Sequence, residues 1–108
     1  MVRSIRPHQQ RSFRMSVFFV ISTSEIVDQQ RYDKYAKLAR PIVESYGGEY
    51  LLQSDKVIAS KDWQTQKIVI IKFSSKEHLD QCFQSHEYKE IIPLREGSIV
   101  SRFVMLES

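Results

Sequence analysis

Two spacings of apolar residues divide this chain, one of period two and one of three to four. Met15 to Ser22 carries Met15, Val17, Phe19 and Ile21 on one face and Phe18 and Val20 on the other. Its Val, Ile and Phe content predicts a strand, and apolar groups on both faces predict that both are covered. Tyr32, Tyr35, Ala39, Ile42, Val43 and Tyr46 then fall on one face of a helix over residues 28–46. Asp28 suits its N-cap. Pro41 removes one ladder hydrogen bond and should bend it, at a cost of ~3 kcal/mol in an ordinary interior. Gly47 and Gly48 stop it.

Glu49 to Gln53 predicts a short strand near a sheet edge, with Val57 and Ile58 prolonging it as a hairpin arm. Lys67 to Phe73 predicts the clearest strand, again apolar on both faces. Ser74 and Glu77 have the spacing of a capping box for a second helix, whose inward face is Leu79, Cys82 and Phe83. Tyr88, Ile91, Ile92 and Arg95 continue on a helical spacing until Pro93 and Gly97 end the region. Ile99 to Leu106 predicts the last strand, interrupted by the charge of Arg102. The order is β-α-β-β-α-β, a ferredoxin-like α+β fold with a four-stranded antiparallel sheet and helices on one face. The doubly apolar strands then need a cover for the other face. A second copy supplies it, which predicts a homodimer paired through the sheet face as a shared α+β barrel.

Composition narrows the class. At 108 residues, 42% hydrophobic and 27% charged, the chain is one ordinary globular domain. The net charge of +3 is misleading. Arg3, Arg6, Arg11 and Arg14 lie in an acid-free segment, residues 1–14, read as a flexible basic extension ahead of a domain over 15–108. Without those four, 12 basic residues face 13 acidic ones, so the body carries −1. A natural start at Met15 and a targeting segment are the other readings of the extension. The near-neutral body and the lack of an aromatic-basic strand make nucleic acid an unlikely partner. No apolar run is long enough to span a bilayer, so no membrane partner is expected. One cysteine, Cys82, excludes a disulfide framework and suggests a reducing, cytoplasmic setting.

Three stretches taken together are distinctive: Tyr32-Asp33-Lys34-Tyr35; Tyr46-Gly47-Gly48-Glu49-Tyr50-Leu51; and Ile68 through Phe73-Ser74-Ser75 to Ser85-His86-Glu87-Tyr88 and Arg95. The chain resembles, over about residues 15–106, the domain-of-unknown-function family thirteen-thirty of the dimeric α+β barrel superfamily. Lys67 and Cys82 depart from the family's usual Arg and bulky aromatic. The resemblance implies a homodimeric ferredoxin-like barrel and carries little on activity. The wider superfamily includes cofactor-independent monooxygenases, haem-degrading enzymes and stress-response proteins, and fold does not choose among them.

The candidate chemistry is sparse. No phosphate loop can be built from three glycines, and His8, His78 and His86 have no zinc-ligand spacing, so neither metal nor cofactor is expected. Polar groups on apolar faces are the candidates. Arg95 either snorkels or offers its guanidinium to a carboxylate or phosphate at a helix–sheet cleft. Tyr32, Tyr35 and Tyr88 either pack with satisfied hydroxyls or orient a ligand. His86, at a helix start, is a general-base position or an exposed loop residue. Trp63, in a polar loop, suggests a contact with the other subunit or a ligand lid. The expectation is a protein binding a small organic molecule in the cleft. A structural or regulatory homodimer and a cofactor-independent monooxygenase-like enzyme are the alternatives, and whether the chain is an enzyme stays open.

Overall fold

A computed structural model describes residues 15–108. The expected basic extension, residues 1–14, lies outside the described residues. The elements run β1 (Val17–Ile26), α1 (Gln29–Ser45), β2 (Glu49–Ser54), β3 (Lys67–Phe73), α2 (Lys76–Phe83), α3 (His86–Arg95) and β4 (Ile99–Glu107). The sheet is antiparallel in the order β2-β3-β1-β4. This is the expected α+β arrangement, with β2 at one edge and the second helical region divided in two.

Local chemistry accounts for most boundaries. The Asp28 side chain accepts from the Arg31 amide and caps α1. Gly47, at φ 89°, takes the left-handed conformation that ends it. Pro41 lies inside α1 and Pro93 inside α3. Pro93 therefore does not stop its helix as the sequence predicts. Both prolines are exposed, as are Lys37 and Lys89 four residues before them, so the orphaned carbonyls can be hydrated. The cap of α2 is Ser75, one residue later than expected, and its side chain accepts from the His78 amide. Val57 and Ile58 do not extend β2: the strand ends at Ser54, and Ile58 is 98% exposed. Among the described residues no strand pairs with them beyond that edge, so their β-propensity has nothing to act on.

Register sorts the side chains. Val17, Phe19 and Ile21 pair with Phe73, Ile71 and Val69, and all six turn toward the helices. There Val17, Val43, Phe73, Leu79 and Cys82 form a close-packed core. Gly48 shows how close: a Cβ at that position would press on Val43 and come within 2.9 Å of the Phe73 ring. The alternate positions, Phe18, Val20, Ile68, Ile70, Leu52, Val104 and Leu106, share the opposite face of the sheet. Among the described residues of the single chain, no element covers that face. Among the described residues, no helix is long and apolar enough to cross a membrane.

Candidate functional site

The close-packed core fills only one end of the space under the helices. Phe83 closes it off, with its ring 5.9 Å from Phe73 on the packed side and 4.8 Å from Tyr88 and 5.2 Å from Phe19 beyond. Past Phe83 the helices and sheet enclose a cavity of about 330 Å³. That is at the small end of the range for organic-ligand sites, which runs from ~300 to ~1,000 Å³. Helix α1 contributes Tyr32, Tyr35, Ala36 and Ala39 to its wall, and α3 contributes Tyr88, Ile92 and Arg95. The sheet supplies Ile21, Thr23, Tyr50, Gln53, Val69 and Phe103 among others. Two small residues, Ala36 and Ala39, stand where larger ones would fill the space.

The polar groups gather toward one part of this wall. The hydroxyls of Tyr35 and Tyr88 share a hydrogen bond of 2.5 Å. Burial, with each phenol near the other, pushes the Tyr35 hydroxyl far above its ordinary value. Burial also raises Tyr88 and Tyr50. The Arg95 charge works against the first two shifts without overcoming them. At neutral pH these phenols are therefore protonated. The Arg95 guanidinium donates to the Ser101 hydroxyl at 2.8 Å and lies 5.9 Å from the centre of the Tyr35 ring. Tyr32 stacks beside Tyr35 at 6.2 Å, and the Lys67 ammonium sits 4.8 Å over its ring.

Four of the six residues singled out from sequence thus meet at one cavity: Tyr32, Tyr35, Tyr88 and Arg95. The other two lie elsewhere. His86 is 84% exposed and pairs with Glu90 at 2.9 Å along its own helix. Trp63 is exposed and borders a separate surface hollow with Ser22 and Arg102, on the side of the sheet away from the helices. Among the described residues, no cluster of three or more His, Cys, Asp or Glu side chains could hold a metal ion. Cys82 is fully buried in the packed core, and burial pushes its thiol up to about 11.

Sequence reasoning missed Tyr50, Gln53 and Ser101. Tyr50 and Gln53 are an odd number of positions apart, so a regular strand places them on opposite faces. A bulge in β2 between Tyr50 and Leu52 turns both toward the cavity. The sequence around Leu51 carries no glycine to signal it. Ser101 meets Arg95 only because the chain reverses at Gly97, φ 78°.

Comparison with known proteins agrees with this architecture. The family described as Domain of unknown function (DUF1330) matches residues 17–108. No curated protein matches the chain. Among solved structures, a protein of unknown function from Rhodopseudomonas palustris is similar at TM-score 0.74 and 15% identity, covering 96% of this chain and 94% of that one. A cofactor-independent oxygenase from Streptomyces nogalater is similar at TM-score 0.64 and 7% identity, covering 87% and 93%. A dimeric ferredoxin-like protein of unknown function from Thermobifida fusca is similar at TM-score 0.64 and 6% identity, covering 87% and 92%. At these identities the likeness is one of fold.

Proposed function

The chain belongs to the DUF1330 family, and on that premise we propose that it is a small-molecule-binding protein that works as a homodimer in the cytoplasm. The observation that carries the binding role is the open cavity walled by Tyr32, Tyr35, Tyr88 and Arg95. A purely structural dimer has no use for a hollow beneath its helices, because an unfilled apolar space forfeits packing contacts. Binding is favoured over catalysis by the wall itself. Among the described residues it offers phenols, Thr23, Gln53 and a guanidinium, and no carboxylate, imidazole or thiol to take a proton at neutral pH. The oxygenase reading draws on fold likeness alone.

Pairing is supported by the outer sheet face. Val104 is 49% exposed there, amid Val20, Ile70, Leu52 and Leu106. That is a contiguous apolar surface which a second sheet would bury. Trp63 flanks the same side, where it would contact the partner. A reducing compartment fits the single buried cysteine.

Thermal-shift screening of a panel of small organic acids, amides and phenols tests the binding role. At least one should raise Tm, and Ala36→Leu, which fills part of the cavity, should remove the effect. A panel without effect, or a shift that Ala36→Leu leaves intact, would count against the site. Oxygen uptake with an electron-rich phenol should stay at background, and turnover would restore the oxygenase reading. Light scattering after size exclusion should give twice the chain mass. Val104→Asp should give a folded monomer.

A further inference from the structure

We infer that the cavity selects monocarboxylates with a compact apolar body, and that Arg95 is the residue that reads the carboxylate. This rests on the cavity being a binding site and specifies what enters it.

Two arginines at one end of the fold, Arg31 and Arg95, are held differently. Arg31 donates to the carbonyls of Pro93 and Glu96 at 2.6 and 2.7 Å, and so serves the C-terminal carbonyls of α3. Arg95 is thus not required for that task. Its guanidinium has five N–H donors, and among the described residues its one side-chain partner is the neutral Ser101 hydroxyl. No carboxylate lies within ion-pair distance of it among the described residues, and residues 1–14 contain none. A half-buried cation held this way, against the rings of a cavity, lacks a counter-charge.

The phenols point to the same ligand class. Tyr35 and Tyr88 have two O–H groups and one hydrogen bond between them, so whichever donates, the other hydroxyl keeps a proton without a protein acceptor among the described residues. The polar part of the wall therefore presents spare donors and a positive charge. Its complement is an acceptor-only, negatively charged group. Charge balance favours a carboxylate over a phosphate ester. One guanidinium neutralises one negative charge, whereas a dianion would leave a net charge among apolar walls. The remaining wall, with Ile21, Val69, Ile92 and Phe103, calls for a ring or a branched aliphatic body.

The test is calorimetric titration of the full chain with phenylacetate, its neutral amide phenylacetamide and phenyl phosphate. Phenylacetate should bind about tenfold or more tightly than the amide, and at least as tightly as phenyl phosphate. Arg95→Gln should erase the preference for the acid, so that phenylacetate binds no more tightly than the amide. Arg95→Lys keeps the charge without the planar fork and should retain part of the preference, which covers the case in which the glutamine variant does not fold. Equal affinity of acid and amide in the wild type, tighter binding of phenyl phosphate, or a preference that survives Arg95→Gln would overturn the inference. If acid and amide bind equally and Ala36→Leu abolishes both, carboxylate selection falls and the cavity stands as a binding site. If no probe binds, or Ala36→Leu changes nothing, both fall.

Discussion

The two ends of the space beneath the helices share one sheet and helix α1, with α2 completing one end and α3 the other, yet one is solid and the other hollow. At the solid end Val43 and Phe73 leave so little room that a glycine is needed at position 48. At the hollow end Ala36 and Ala39 are small, and Tyr32, Tyr35, Tyr50, Tyr88 and Arg95 bring polar tips to the same wall. Both ends are mainly apolar. They differ in whether the side chains meet, which divides the labour: one end contributes stability, and the other gives up packing to hold a space open.

The largest test of that division deletes the same ring at each end. Phe73→Ala should cost ~3–5 kcal/mol in chemical denaturation. Phe103→Ala, at a position 60% exposed, should cost less than about 1 kcal/mol. Equal losses would erase the distinction. The second test adds atoms instead. Gly48→Ala should destabilise by ~1–3 kcal/mol, since Val43 and Phe73 must move. Ala36→Leu should fold with stability within about 1 kcal/mol of the wild type, because it grows into empty space. A third, smaller effect sharpens the hollow end. Tyr88→Phe removes the partner of the Tyr35 hydroxyl and should cost ~1 kcal/mol, with the cavity preserved.

A fourth effect is one of pH, and near neutrality it is absent. Burial raises the Cys82 thiol from 9.0 to about 11. Below pH 9 both the folded and unfolded chains keep that proton. Between those two values the unfolded chain loses it first, so stability should fall as pH rises. The buried phenols Tyr35, Tyr50 and Tyr88 extend the fall to higher pH in the same direction. Thermal melts across this alkaline range should show a shallower initial slope in Cys82→Ala, and an unchanged slope would mean that the thiol titrates alike in both states.

Much of this division could be read from the residues. Lys67–Phe73 emerges with the expected bounds, because four consecutive β-branched residues, Ile68 to Ile71, followed by Phe73 favour a strand over a helix. Tyr32, Tyr35, Tyr88 and Arg95 are legible as inward residues because helical periodicity is insensitive to small boundary errors. Strands are less forgiving. A single inserted residue in β2 exchanges its faces, and that is why Gln53 stands unexpectedly at the cavity. His86 was misleading for a different reason. It follows the Ser85 cap, so the first turn of α3 carries it out to solvent and toward Glu90. Spacing along the chain also cannot reveal emptiness, because a hollow depends on how far apart the walls stand.

The link between α1 and α3 has a consequence in time. The Val27 and Asp28 amides both donate to the Ser98 carbonyl, at 2.8 and 3.0 Å, beside the Arg31 contacts to Pro93 and Glu96. The start of one helix cannot lift without releasing the end of the other. Deuterium should therefore reach the Val27 and Asp28 amides only as slowly as the whole domain opens. A ligand would enter by rotation of side chains at the rim, and the roof would stay in place throughout.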